Sequence, residues 1–551
     1  MTDFLNRRWP ALLTVMLITY GLVLAIFSRE GFPASMDYGH GMPYLSDRPV
    51  GEDGFYMLTV AWNIAEKGRI VYNLDKPTTG IQPLATFLYA AVARVVQLSA
   101  EDRWLFVRAV IVVNVLLMTV FARQIGRIAR ALTKRREEQE LAYALGVVTT
   151  LSSMWVFREF TYGLETGLYL VLLASFVLLT LQNDRPLNPI ALGLLAGVTG
   201  LARLDFGLIF GLQLLWLLRE RRLRLREAIV AGVIALLITV PWLLWVHVQT
   251  GIWVPSSAGA QLGQISTSDA SLRLNGMGRA LLWNITPWIS SSDNDLRFVR
   301  WSAVALAAFL ALTLPAVYAH RKGRITLTDW WYGRQFAAWT ITVAALVPVY
   351  LIGSWAWHFY GRYTSPLLVV TVPAVAILAT IAGRRLKWLP VAMLALSPVM
   401  FVMLASVQLH HGHMILDLPI NAGFVSNELD GNLRVGAAQS GSVGFFNQNV
   451  INLDGKIDAQ ARYSIGHGGI GSYIDAEHID VLVDWPEVYR TFLFAGHTGE
   501  HWQLCDRQPA GKSRCYRRNP DSTNDGEDHA GSAPLSPTPS ADQHVKPQPR
   551  G

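Results

Sequence analysis

Hydrophobic residues gather in long runs over positions 1–407, divided by short basic clusters and polar loops. The runs fall at 11–29, 81–99, 104–122, 141–157, 164–181, 188–218, 228–247, 298–319, 335–354, 364–383 and 388–406. Most are roughly 15–25 residues, the length a helix needs to cross a hydrocarbon core of about 30 Å. A large soluble helical protein would not separate so many near-uncharged segments with short basic clusters. The pattern predicts a polytopic membrane domain of helices, because a spanning segment must satisfy its backbone hydrogen bonds internally. Arg7 and Arg8 precede the first run as they would in a signal peptide, but its length and the runs after it predict an uncleaved anchor.

Basic clusters set the orientation. Arg7/Arg8, the stretch from Arg123 to Arg136, and the segments 219–227, 320–324 and 384–387 are placed on the cytoplasmic side. Loops 30–80 and 248–297 and everything after 407 then lie outside. One conflict stays open. If 81–99 and 104–122 both cross, the cluster at 123–136 emerges on the outer side. Either one of the two is a juxtamembrane helix and 188–218 is a pair of short spans, or both cross and 188–218 is one long span. Both options give about eleven transmembrane helices with the C-terminus outside.

Composition changes the picture beyond 407. There the apolar runs become fewer and Gly, Asn and Asp more frequent, and RVGAAQSGSVGFF and IDVLVDW read as short strands broken by glycine turns. The expected architecture is an all-α polytopic membrane domain over 1–407 with a large external loop at 30–80. A small extracytoplasmic α/β domain over 408–516 and a disordered tail over 517–551 follow. Cys505 and Cys515, the only cysteines, close a short loop as a disulfide if that domain faces an oxidising compartment. Two cysteines alone lack the ligand set of a metal site. The HHGH segment at 410–413 reads as exposed spacers. Charged residues make up 16% of the chain, against about 25% in soluble domains. The net charge of +7 comes largely from loop arginines, and no basic face or aromatic platform for nucleic acid is evident.

Candidate chemistry concentrates in 51–87. Over 52–66 a helix is expected, with Glu52, Tyr56, Thr59, Asn63 and Glu66 on one polar face and Phe55, Leu58, Ala61, Trp62, Ile64 and Ala65 around it. That amphipathicity suits a helix lying in the membrane interface. Asp53 stands at its start, where the helix dipole favours negative charge. The pair Glu52–Asp53 either caps the helix or supplies a general base or a carboxylate for metal or sugar hydroxyls. Four further polar elements interrupt apolar runs. Glu165 sits beside Gly163 at a helix entrance, and Arg203 and Asp205 neutralise each other inside 188–218. His358, Tyr360, Arg362 and Tyr363 cluster at the outer end of a span, with Arg362 either matched to phosphate oxygens or snorkelling to lipid headgroups, and His358 a candidate acid or base. The Gly- and Ser-containing loop after 247 either covers a cleft or is a solvated linker.

Taken together these pieces resemble the GT-C class of integral-membrane glycosyltransferases, which use polyprenyl-phosphate-linked sugars, and most of all its bacterial arabinofuranosyl- and mannosyltransferase-type members. The acidic pair Glu52–Asp53, Ala61–Ala65 and the run 70–84 with Gln82 match the opening of that class's first external loop. GLET (163–166), ARLDFG (202–207), WVPSSAGAQ (253–261), GRYTSP (361–366) and the stretch 434–458 are similar to its later elements, in the right order. Glu52 stands where Asp is common, and Gln261 where Lys is frequent.

The resemblance implies transfer of one sugar from a lipid monophosphate to an extracytoplasmic glycan, lipid or protein, by inverting single displacement at a bacterial inner membrane. Asp53, with Glu52 as alternative, would activate the acceptor hydroxyl. Arg362, with Arg203 and Tyr363, would hold the donor phosphate. Glu165, Asp205, His358, Asn63 and Gln82 are expected as substrate-binding or supporting groups. A divalent cation (Mg2+, Mn2+ or Ca2+) is compatible with the acidic pair without being required by it. A multispanning transporter or flippase of an envelope precursor is the rival reading, and a non-catalytic assembly scaffold a third. The large external loop, the external domain and the lack of evident inverted repeats weigh against transport.

Overall fold

Helices form at all of the expected apolar runs except 298–319, which lies outside the described residues. The computed structural model describes residues 2–519 apart from 38, 40, 101, 182–185, 252, 262–269, 289–333, 355, 410–416, 468 and 490–501. The HHGH segment and the expected disordered tail beyond 519 therefore also fall outside it. Five helices among the described residues are long and apolar enough to cross a membrane: Arg8–Phe27, Arg103–Leu132, Leu225–Thr250, Arg334–Gly353 and Trp357–Ala382. Arg136–Leu151 and Met154–Thr161, bent by 62° at their junction, make a sixth if they count as one span. The other apolar runs are shorter helices: Pro83–Ser99, Thr166–Leu181, Pro189–Ala202, Phe206–Arg219 and Trp388–Met403.

Local chemistry sets several of these ends. Asp102 accepts from the Trp104 amide and Ser153 from that of Val156, each closing off a helix N-terminus. Asn188 caps the next helix through the amides of Ile190 and Ala191, with Pro189 in the first turn. The apolar stretch 188–218 is broken at Arg203, whose backbone is extended, and a new helix begins at Phe206. Each half has 14 residues and so rises only about 21 Å. Of the two arrangements left open by the sequence, the break corresponds to two short segments. Pro83–Ser99 is likewise short, whereas Arg103–Leu132 is of full spanning length.

The acidic helix runs from Glu52 to Lys67 and is not an interfacial helix with one wet face. Every residue from Gly54 to Asn63 is buried. Its polar side is covered by the C-terminal domain: the Tyr56 hydroxyl donates to the Ala438 carbonyl at 3.2 Å and accepts from the Ser440 amide at 3.0 Å. Asn63 donates to the carbonyls of Val71 and Tyr72, pinning the loop that follows. Of the two roles expected for Asn63, substrate-binding or supporting, these bonds are of the supporting kind.

The C-terminal domain is a five-stranded sheet, β1 (Val435–Ala437), β2 (Val450–Asn452), β3 (Val481–Asp484), β4 (Trp502–Leu504) and β5 (Arg514–Arg518), in the order β2-β1-β3-β5-β4. The first three pair in parallel and β5 pairs antiparallel with both β3 and β4. The segment 434–446 is one strand followed by a short helix, Gly441–Phe446, instead of two strands. Cys505 and Cys515 are disulfide-bonded across the β4–β5 hairpin. β5 continues to Arg518, past the expected domain end at 516. The sheet packs apolar clusters of its own, and Phe445 and Ile457 join the core of the helices, where Phe445 packs on Phe55 at 5.3 Å and Phe446 stacks on Trp104 at 4.2 Å.

Candidate active site

Two glycines let the start of the acidic helix press against the turn at Tyr162–Gly163. A Cβ on Gly51 would lie 2.0 Å from the Tyr162 ring, and one on Gly54 would lie 2.1 Å from the Tyr162 carbonyl oxygen. The Gly51 amide donates to that same carbonyl. This close approach brings Glu52 and Asp53 directly over the segment that carries Glu165.

The two acids then diverge. The Glu52 carboxylate turns toward the C-terminal domain, where it accepts from the Gly441 amide, the Ser442 amide at 2.9 Å and the Ser442 hydroxyl at 2.8 Å. Asp53 faces a cavity of about 340 Å³ lined by Gln82, Glu165, Arg203, Arg362 and Lys456, among others. Arg362 Nη1 lies 3.7 Å from one Asp53 oxygen and Lys456 Nζ lies 3.6 Å from the other. The Arg362 guanidinium lies beside the rings of Phe359 and Tyr363. Pro255, Ser257 and Ala258, from the loop after 247, form part of the wall.

Deeper in, Arg203 grips Asp205 through a two-pronged contact at 3.2 and 2.6 Å, and the Tyr350 hydroxyl donates to the same carboxylate at 2.6 Å. Arg203 also donates to the Arg362 carbonyl at 3.2 Å and stands 4.0 Å from Glu165. Its charge is answered within the protein, and its action on Arg362 is that of a brace. Arg203 also lines the cavity beside Arg362. Tyr363 stacks on Tyr350 at 4.5 Å and lines the cavity, as does Gln82. His358 is exposed and tilted against Phe359 at 4.1 Å, outside the cavity wall.

Electrostatics separates the two acids further. Burial pushes the Glu52 carboxyl up to about 7, against its bonds from Ser442 and Gly441. Burial also pushes Asp53 up, but Lys456, Arg362 and His358 outweigh it and hold the carboxyl below its ordinary value. Lys456 is lowered by burial and raised more strongly by Asp454 and Asp53, so it keeps its proton. Glu52 gains protons on folding between its ordinary 4.5 and about 7. Its contribution to stability is therefore complete below the ordinary value and is lost as pH rises through about 7. Tm is expected to rise as the protein is taken from pH 8 to pH 5, and Glu52→Gln, a permanently neutral acceptor, is expected to flatten that dependence. Identical Tm profiles for the two proteins would contradict this placement of Glu52.

Lys456 is the group that local sequence reasoning misses. It sits in a turn after β2, and nothing in its spacing ties it to residue 53. The one available signal is that GKID lies inside the C-terminal stretch 434–458 that bears the family resemblance. The acidic pair does not offer two carboxylates to one point, and among the described residues no group of three or more His, Cys, Asp or Glu is placed to hold a metal ion. Glu52 is engaged by backbone amides, and Asp53 stands beside two cations.

No family model and no curated protein matches this sequence. The architecture does have counterparts. The crystal structure of ArnT from Cupriavidus metallidurans bound to undecaprenyl phosphate aligns with a TM-score of 0.56 at 12% identity, over 91% of this chain and 97% of that one. The same protein in the apo state aligns with a TM-score of 0.55 over the same shares, also at 12% identity. The chain thus has the ArnT-like GT-C fold of a multi-pass membrane protein.

Proposed function

We propose that the protein is a membrane glycosyltransferase that moves a single sugar from a polyprenyl-phosphate donor to a hydroxyl of an extracytoplasmic glycan, lipid or protein. The observation that carries this reading is Asp53, a carboxylate set between a guanidinium and an ammonium in a covered cavity. It lies in a fold whose counterpart was crystallised with undecaprenyl phosphate. A passive span has no use for that constellation, and a carboxylate with two cations supplies the two things the reaction asks for.

Asp53 accepts the proton of the acceptor hydroxyl as its oxygen attacks the anomeric carbon. The new carbon–oxygen bond forms while the bond from the anomeric carbon to the phosphate oxygen breaks, and that electron pair stays on the phosphate. Arg362 stabilises the added charge. Phosphate is a good leaving group, so no strong general acid is needed, and a single displacement inverts the anomeric configuration. Arg203 and Asp205 hold Arg362 in place, and Gln82, Glu165 and Tyr363 shape the sugar pocket. The active site and C-terminus are assigned to the outer side of a bacterial inner membrane, supported by the basic loops and the Cys505–Cys515 bridge.

The test is to supply purified protein with a lipid-linked sugar and an acceptor extract and to follow the reaction by mass spectrometry. Polyprenyl phosphate and a sugar-extended acceptor are expected to appear together, at a rate that EDTA leaves unchanged. A flippase would relocate the lipid-linked sugar intact, and release of no polyprenyl phosphate would sink the transferase reading. Cells lacking the protein are expected to accumulate the donor, which names the sugar.

A further inference from the structure

We infer that Lys456, carried by the C-terminal domain, is a second ligand for the donor's phosphate. On donor entry its ammonium passes from Asp53 to the phosphate, which frees the carboxylate for the acceptor proton. This rests on the transferase reading above and adds a group from outside the membrane bundle to it.

The geometry separates a firmly held backbone from a loosely held charge. The Lys456 amide donates to Asp454 Oδ1 at 2.8 Å, and its carbonyl accepts from the Ser256 hydroxyl at 3.0 Å. The preceding Gly455, at φ 72°, donates to Asn452 Oδ1. The ammonium itself stands 3.6 Å from Asp53 and 3.3 Å from Asp454. A committed charged hydrogen bond spans about 2.7–2.9 Å, as the 2.6 Å contact between Arg203 and Asp205 illustrates by contrast. Lys456 therefore lies near Asp53 without being bound tightly to it, on a flexible stem suited to turning. Arg362 stands a similar 3.7 Å from Asp53, its guanidinium beside the rings of Phe359 and Tyr363 and its carbonyl held by Arg203, while Lys456 shares only the Phe359 ring, at 5.6 Å.

Charge conservation gives the exchange its direction. The donor's phosphodiester carries one negative charge, and Asp53 carries another. As the sugar leaves, the phosphate gains a charge and Asp53, taking the acceptor proton, loses its own. The negative charge that two cations were neutralising on Asp53 reappears on the phosphate a few ångströms away. Lys456, already drawn to the phosphate on donor entry, is then in place to meet the charge that builds there as the sugar leaves. A plainer role, fastening the C-terminal domain to the acidic helix, is already filled. Glu52 holds Ser442, Tyr72 donates to the Ser440 carbonyl at 2.7 Å, and Asn73 donates to the carbonyls of Gly444, Asn447 and Val450.

The experiment measures binding of undecaprenyl phosphate and of undecaprenol to the full chain in lipid nanodiscs. Wild-type protein is expected to prefer the phosphate-bearing lipid, and Lys456→Gln to bind it about tenfold or more weakly with undecaprenol binding and Tm unchanged. Lys456→Arg, which keeps the charge, is expected to restore most of the affinity. The acid limb of the pH–rate profile is expected to move upward in Lys456→Gln, because Asp53 loses a cation. Wild-type affinity in Lys456→Gln, alongside a loss in Arg362→Gln, would overturn the role of Lys456 and leave the transferase reading standing. A wild-type protein that binds both lipids equally would overturn both.

Discussion

Asp53→Asn is expected to lower sugar transfer by about 10²–10⁴-fold, the usual contribution of a positioned general base, while affinity for undecaprenyl phosphate stays equal to wild type or rises. The two readouts move apart because Asp53 has two roles. In the proposed reaction it accepts the proton, and in the resting protein it lies beside Arg362 and Lys456, the cations proposed for the phosphate. Asparagine keeps the shape, removes the base and releases both cations. A variant that merely failed to fold would lose lipid binding along with transfer, so turnover and binding measured on one preparation separate the cases. Undiminished transfer in Asp53→Asn would remove Asp53 from the mechanism.

Arg203→Met is expected to act on stability first. Arg203 is 4% exposed and forms the cationic centre between Asp205 and Glu165. Removing it leaves the buried Glu165 and the half-buried Asp205 without the cation between them, and breaking a buried ion pair typically costs about 3–5 kcal/mol. Thermal unfolding in detergent should show a large drop in Tm. The double variant Arg203→Met, Asp205→Leu should recover part of it by removing the acid that contacts Arg203 most closely, and Glu165 should account for the remainder. A phosphate ligand would behave differently, raising KM at unchanged Tm. That outcome would return Arg203 to the donor site.

The membrane portion was legible because its signal is local. Long apolar runs become helices wherever they are described, and the acidic helix, expected over 52–66, spans Glu52–Lys67. The charges at 203 and 205 interrupt an apolar run, and the helix breaks at that point. Contacts between distant segments left no such mark. The polar face of the acidic helix looked like a face for water, because the groups that cover it, Ala438 and Ser440, lie in another domain. For the same reason Glu52 looked equivalent to Asp53. Their neighbours in sequence are the same, and only the Gly441–Ser442 amides on one side and the cations on the other tell them apart. Lys456 had no local signature, since its partner across the cavity belongs to the first external loop. Arg203 was legible in part: its neutralisation by Asp205 follows from a spacing of two residues, but its brace on the Arg362 carbonyl does not.

The junction between the acidic helix and the C-terminal domain also sets an order of events during synthesis. Glu52 and Ser442 are 390 residues apart in the chain, which at about 5–20 residues per second separates their emergence by roughly 20–80 s. Throughout that interval Asp53 exists without Lys456, the amides that receive Glu52 have not been made, and the cavity lacks one wall. A nascent or truncated chain already inserted in the bilayer would hold the base and be unable to complete the site. Competence is thus conferred by the C-terminal domain.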